Sequence, residues 1–228
     1  MNNTAPEHRT NAWLLGATGL VGQSLLQQLS ASQQHEQVLA WVRKASGLPC
    51  GAGVLTQVVN FEHSGQWPKG PVDTVYCCLG TTQKKAGSKA AFKQIDHDLV
   101  LTLAHYAKQQ GCRHFLLISA LGADANSSNF YSRVKGEVEQ ALNKIGFEQF
   151  SVFRPSLLAG DRVEHRLGEQ IGLQLANTFK PLIPLKYRAV HVDAVASAMR
   201  EASRQRITGG KIYESDAIQT HYQNAKHP

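Results

Sequence analysis

Past a polar opening of about ten residues, the chain alternates short apolar runs with segments whose apolar positions recur every three to four residues. That is the pattern of β-α-β units, in which each helix carries the chain back so that the next strand lies parallel to the last. Six strands are predicted, at Ala12–Leu15, Gln37–Val42, Thr56–Asn60, Thr74–Cys78, His114–Ile118 and Phe150–Phe153. Each is apolar and is followed by Gly, Ser, Pro or a polar turn. Between the fourth and fifth, Phe92, Ile95, Leu99, Leu103 and Tyr106 form a stripe of helical spacing within Lys89–Gln110, closed by Gly111. Beyond residue 155 the pattern loosens into a helical stretch, a Pro-rich turn at KPLIPLKYR, a helix opening near Val192, and a final segment KIYESDAIQTHYQ. The expected class is α/β, a doubly wound and mostly parallel sheet, with a small C-terminal region, about 155–228, covering the substrate side.

With 228 residues, of which 42% are hydrophobic, the chain can bury one substantial core, so a single domain over 1–228 is expected. No run approaches the ~18 apolar residues of a membrane span, and MNNTAPEHRT lacks the apolar centre of a secretory signal. A cytoplasmic location with no membrane partner follows as the expectation. Cys50, Cys77, Cys78 and Cys112 include an adjacent pair but no C-x-x-C spacing, which suits buried thiols better than a zinc site or a disulfide scaffold. The net charge of +7 is scattered, and no dense basic run interleaves with aromatics, so nucleic acid is not an expected partner. Part of that charge is available to an anionic cofactor.

Candidate chemistry begins after the first strand. Gly16-Ala17-Thr18-Gly19-Leu20-Val21-Gly22 lies between an apolar strand and an amphipathic helix. Glycine there lets the chain turn tightly, lets a pyrophosphate approach main-chain N–H groups, and lets the helix pack on the strand, while the helix start adds partial positive charge. Gly16, Thr18, Gly19, Leu20, Val21 and Gly22 are therefore candidate dinucleotide contacts. The second strand ends Trp41-Val42-Arg43-Lys44, and no Asp or Glu occurs between Glu36 and Glu62. The carboxylate that would hold a ribose 2′-hydroxyl is missing, and Arg43, with Lys44 behind it, offers cations to a 2′-phosphate, so NADP(H) is expected over NAD(H). At the end of the fourth strand Cys78, Leu79, Gly80 and Thr81 leave the sheet at its carboxyl edge, where ligands of such sheets bind. Asp96 and His97, in the long helix, are each open to a cofactor-facing or a solvated reading.

The fifth strand delivers Ser119 at its carboxyl end, and twelve residues later Tyr131-Ser-Arg-Val-Lys135 opens a helix that also carries Glu137 and Glu139. Residues four apart share a helix face, so Tyr131 and Lys135 can project together toward the strand end that bears Ser119. A free tyrosine titrates near ~10, and an adjacent ammonium makes the phenol a better proton donor to a developing alkoxide. Ser119 would hydrogen-bond the substrate oxygen, and Lys135 could also reach the nicotinamide ribose. Pro155 fixes the exit of the sixth strand, and Pro155, Ser156 and Leu157 offer backbone groups to the nicotinamide, ahead of Gly160-Asp161-Arg162.

GATGLVG, CLGTT, SALGAD, SSNFYSRVKGEVE and FRPSLLAGDR, in that order and spanning about residues 12–170, resemble the Tat-interacting-protein-like branch of the atypical short-chain dehydrogenases. HVDAVASAM resembles the helix start that the wider superfamily places beside its substrate cleft. The resemblance implies a Rossmann fold, bound NADP(H), and a Ser, Tyr, Lys set falling on Ser119, Tyr131 and Lys135. The wider family often adds an Asn in the long helix, where the nearest candidate here is Asp96, and often has Gly where this chain has Ser156. The expected function is an NADP(H)-dependent oxidoreductase acting on a small carbonyl or related acceptor. The alternative is an NADP(H)-responsive regulator acting through a protein partner, which the resemblance also implies because the animal member acts in that way. A nucleotide-sugar epimerase or dehydratase shares the loop and the Tyr/Lys pair but usually needs a larger substrate domain, and length argues against it. Neither the substrate nor the oligomeric state is specified by the residues.

Overall fold

The computed structural model describes residues 10–45, 47–48, 51–159, 184–205 and 208–226. Cys50, Gly160, Asp161, Arg162, most of the polar opening and the helical stretch expected after residue 160 lie outside them.

Seven strands, β1 (Thr10–Leu15), β2 (His35–Val42), β3 (Val54–Val58), β4 (Thr74–Cys77), β5 (His114–Ile118), β6 (Gln149–Arg154) and β9 (Gly209–Glu214), form one sheet in the order β3-β2-β1-β4-β5-β6-β9. Every pairing in it is parallel. A separate short pair joins β7 (Leu158–Ala159) to β8 (Val190–His191). The six expected strands are present with ends shifted by at most two residues, and β9 is an addition. Its sequence, GGKIYE, shows little alternation, and Ile212 stays half exposed because the strand is an edge.

Period-two alternation sorts the strand residues into two cores. Ala12 and Leu14 of β1, Leu116 of β5 and Phe153 of β6 face α1 (Leu20–Ser32) and a C-terminal helix over Val192–Arg204. Trp13 and Leu15, Phe115 and Leu117, and Val152 face the opposite layer. That layer holds α2 (Gln83–Ala86), α3 (Lys89–Lys93), α4 (Val100–Gln109) and α5 (Phe130–Asn143). The Val192–Arg204 helix is α6, and α7 (Ser215–Lys226) follows β9. The result is a doubly wound α/β/α sandwich, the Rossmann arrangement, whose strand order switches side between β1 and β4.

The long crossover helix predicted over Lys89–Gln110 is present with one interruption. Between α3 and α4, Gln94–Leu99 is wound as a π-helix, a local widening that frequently marks functional positions. Helix α6 is seated by Asp193, which accepts from Ser24 Oγ of α1 at 2.6 Å and whose carbonyl accepts from Gln28.

Candidate active site

The glycine loop is the turn its sequence predicts. Gly16 has φ +81° and its carbonyl accepts from Gly19 N–H at 3.0 Å. A Cβ on Gly22 would sit 2.2 Å from the Gly16 oxygen, and one on Gly16 would sit 2.6 Å from the Cys78 oxygen. Loop, helix start and β4 exit are therefore in backbone contact, and only hydrogen fits between them. No side chain caps α1, so the N–H groups of its first turn lack an intrahelical acceptor and face outward at the positive end of the helix. Thr18, Gly19 and Leu20 are exposed around that opening, Val21 is buried beneath it, and Gln23 Nε2 braces the loop by donating to the Thr18 carbonyl at 2.9 Å. This cradle fits a dinucleotide pyrophosphate. Leu15 pairs with Trp41, so Arg43 and Lys44 leave β2 beside the loop, both exposed.

The β4 exit leads to a buried ion pair. Half-buried Cys78 and Leu79 pass the glycine loop, and exposed Gly80 then runs so close to Asp96 that a Cβ there would lie 3.3 Å from Asp96 Oδ1 and 3.7 Å from Lys135 Nζ. Thr81 N–H donates to Asp96 Oδ2 at 2.9 Å, and Lys135 Nζ stands 2.7 Å from Asp96 Oδ1, the two side chains being 6% and 0% exposed. Burial pulls the Lys135 ammonium toward neutrality, but the Asp96 carboxylate and the Tyr131 phenol outweigh it and hold Lys135 above the ordinary lysine value. The solvated reading of Asp96 is thereby corrected: the π-helical segment turns it inward. His97 instead pairs with Asp98, Nδ1 to Oδ1 at 2.7 Å. Tyr131, one turn before Lys135, packs on Phe92 at 5.5 Å between ring centroids and is half-buried. Its hydroxyl makes no hydrogen bond among the described residues. Burial pushes the adjacent Cys77 thiol up to about 12, so it stays protonated.

Ser119 sits where expected, buried at the carboxyl end of β5, and the loop after it lies on α5. A Cβ on Gly136 would meet the Ala125 nitrogen at 2.1 Å, and Asp124 N–H donates to the Ser132 carbonyl at 3.0 Å. The Ser119 hydroxyl is already engaged, since it donates to Glu139 Oε1. Arg154, at the end of β6, clamps the same carboxylate, Nε to Oε1 at 3.1 Å and Nη2 to Oε2 at 2.5 Å. It reaches Glu214 of β9 through Nη1 at 3.1 Å, and Lys186 Nζ lies 3.5 Å from the other Glu214 oxygen. Glu139 and Arg154 were not singled out from the sequence. The available signal was the spacing Tyr131, Lys135, Glu139, three residues four apart on one helix face.

The residues after β6 also hold the surrounding segments in place. Pro155 is buried and its carbonyl accepts from Leu121 N–H at 2.9 Å. Ser156 Oγ donates to the Arg188 carbonyl and accepts from Ser215 Oγ at 3.1 Å, so it ties down the C-terminal segment. Leu157 is 68% exposed and Tyr187 63%, leaving apolar surface on that side.

The chain matches the NAD(P)H-binding family over residues 16–161. Rat Protein HTATIP2 is 35% identical over 216 residues, covering 91% of this chain and 87% of the rat protein. Protein FMP52, mitochondrial, from Candida glabrata is 34% identical over 209 residues, covering 86% and 88% of the two chains. The same-named protein of Eremothecium gossypii is 36% identical over 161 residues, covering 69% and 70%. Among solved structures, the oxidoreductase ylbE from Lactococcus lactis superposes with TM-score 0.64 at 16% identity, covering 93% and 97%. MoeE5 in complex with UDP-glucose and NAD superposes with TM-score 0.67 at 14% identity, covering 89% and 74%. These two likenesses carry the fold alone. The fungal names point to mitochondria and overturn the cytoplasmic expectation, which rested only on the lack of a recognisable signal.

Proposed function

The chain belongs to the NAD(P)H-binding family, and from that premise we propose that it is an NADP(H)-dependent oxidoreductase reducing a small carbonyl or related acceptor. The observation that carries this reading is the buried Asp96–Lys135 pair, set against the β4 exit with the Tyr131 phenol beside it and its hydroxyl without a partner among the described residues. When bound, the reduced nicotinamide supplies a hydride to the acceptor carbon. Tyr131 gives its hydroxyl proton to the acceptor oxygen, and the Lys135 ammonium stabilises the negative charge left on the phenolic oxygen. Asp96 keeps that ammonium charged and in place. The first turn of α1 holds the pyrophosphate, with Gly16, Thr18, Gly19, Leu20, Val21 and Gly22 forming its cradle, and Cys78, Leu79, Gly80 and Thr81 border the cofactor on the far side of the switch point. Arg43, with Lys44, supports preference for the 2′-phosphate. Pro155, Ser156 and Leu157 remain cofactor-side neighbours in this reading, through backbone groups.

No specific feature of the geometry favours the regulatory alternative. The test is NADPH consumption over a panel of aldehydes and ketones by the wild type and Tyr131→Phe. Loss of a proton donor is expected to cost about 10²–10⁴ in turnover. Unchanged turnover of every substrate by Tyr131→Phe would refute the assignment.

A further inference from the structure

We infer that the acceptor carries an anionic group, a carboxylate or a phosphoryl, and that Lys84, Lys85 and Lys89 with Arg133 form the rim that receives it. This rests on the oxidoreductase reading for the carbonyl end of the acceptor, and on the placement of charge for its other end.

The stretch from Thr81 to Phe92 is fastened to the candidate site at both ends. Thr81 N–H donates to Asp96 Oδ2 at 2.9 Å, and Phe92 packs on Tyr131 with 5.5 Å between ring centroids. Between those two anchors the chain carries Lys84, Lys85 and Lys89 and no acid. All three are exposed, and none has an acidic partner among the described residues. Lys89 Nζ lies 5.4 Å from the centre of the Phe130 ring and the Arg133 guanidinium 5.8 Å from it, so two cations stand over the residue that precedes Tyr131. Arg133 is held there by donating to the Ser127 and Ser128 carbonyls at 3.0 and 3.3 Å. Glu137 offsets part of the charge, lying 3.4 Å from Lys93 and 3.9 Å from Arg133. The acids deeper in the site are already matched, Asp96 by Lys135 and Glu139 by Arg154. A surplus of positive charge is left on the rim. Charge of one sign beside a cleft raises the local concentration of counter-ions and speeds their arrival. Lysine ammoniums on flexible stems can close on a carboxylate or phosphoryl without moving the backbone. The phosphates of the cofactor have the first turn of α1 and Arg43 in the proposed reading, which leaves this rim to the acceptor.

The probes are matched pairs: pyruvate with methyl pyruvate, 4-formylbenzoate with its methyl ester, and glyceraldehyde 3-phosphate with glyceraldehyde. Turnover is read from NADPH absorbance at saturating cofactor, and binding from ligand-observed NMR on NADP⁺-loaded protein. In at least one pair the anionic member should bind about tenfold more tightly at low salt, with the gap closing as NaCl rises toward ~0.5 M. Which pairs respond separates carboxylate from phosphoryl. The triple variant Lys84→Gln, Lys85→Gln, Lys89→Gln changes only exposed side chains and should erase the preference, whereas Lys144→Gln, at the far end of α5, should leave it. Calorimetry with NADPH tests the competing use of the rim. If the triple variant weakened the cofactor and not the anionic acceptor, the lysines would serve the cofactor and the inference would fall. It would fall equally if no pair showed a preference, if no probe bound, or if salt and the triple variant left the preference untouched. Anion preference without turnover of any pair would sink the oxidoreductase reading and leave the rim its role, and turnover without the preference would do the reverse.

Discussion

Asp96→Asn is the most informative single change, because it keeps the shape of the side chain, including an oxygen for Thr81 N–H, and removes only the charge opposite Lys135. With both side chains almost inaccessible, the ammonium would be left buried without its counter-charge, a loss of about 3–5 kcal/mol. For a chain of this size that corresponds to a fall of roughly 6–20 °C in Tm near neutral pH. The pH dependence carries the sharper argument. In the wild type the folded protein holds Lys135 above its ordinary value, so its stabilisation is complete below the unfolded pKa and is lost only as pH climbs past it. In the variant, burial is no longer offset by the Asp96 carboxylate, its largest opponent, and pulls the folded pKa down relative to the wild type, below the unfolded value of ~10.4. Its penalty is then largest at neutral pH and shrinks as the unfolded lysine also loses its proton. Thermal melts of both proteins from pH 6 to pH 10 should show the Tm gap narrowing with rising pH. A gap constant across that range would show that packing, and not charge, was lost, and would refute the role given to Asp96.

Three further outcomes test other parts of the structure. Gly22→Ala places a methyl 2.2 Å from the Gly16 oxygen, so the loop must open; calorimetry should show dinucleotide affinity falling at least tenfold, with a stability cost of about 1–3 kcal/mol. Arg43→Ala should weaken NADP⁺ and NADPH by about tenfold and leave NAD⁺ and NADH unchanged, and equal loss for all four would argue against a 2′-phosphate contact. His35 and His114, buried at the amino ends of the strands, are each lowered by burial to about 4. They are neutral in the folded protein, so stability should fall as pH drops from the unfolded value of ~6.5 toward 4, by about 3 kcal/mol for each at the lower end. Urea unfolding from pH 7 to pH 4 measures the slope, and His114→Gln should flatten it.

The sheet was legible because its inner strands are buried on both faces and read as continuous apolar runs, and the glycine loop because a Cβ on Gly22 or Gly16 would stand only 2.2 or 2.6 Å from a neighbouring backbone oxygen. Edge strand β9 was not, since an edge half open to water needs no apolar alternation, and GGKIYE shows little. The direction of Asp96 was equally hidden. Helical periodicity counts 3.6 residues per turn, and the π-helical Gln94–Leu99 shifts every later residue around the axis, which periodicity cannot register. Ser119, Tyr131 and Lys135 were proposed from spacing and strand position, yet the partner of Ser119 lay two turns beyond Tyr131 on the same helix, in a spacing that ended too soon when read as a pair. The expectation for Ser156 concerned its backbone, and nothing in the sequence signalled that its side chain fastens the segment around Arg188.

What joins these pieces is a line of alternating charge. Asp96, Lys135, Glu139, Arg154, Glu214 and Lys186 come from the π-helical segment, α5 twice, β6, β9 and the turn at Leu185–Tyr187, three acids and three bases. A buried ion pair is a weak source of stability, since desolvation consumes most of its attraction. An apolar substitute would hold these elements together as well. Alongside the close approach of Gly136 to Ala125, the charged groups fix α5 along its axis relative to β4, β5 and β6, because a slip of one turn would set Lys135 and Glu139 against the wrong partners. In the proposed reaction Tyr131 and Lys135 on α5 act on a ligand held at the ends of those strands, so the charges lie where a sliding error would cost that chemistry most. On that argument the line belongs to the site and not to the scaffold. Variants that break it at Glu214 or Lys186, where exposure is near a third or more, should lose turnover by more than their small effect on Tm would suggest.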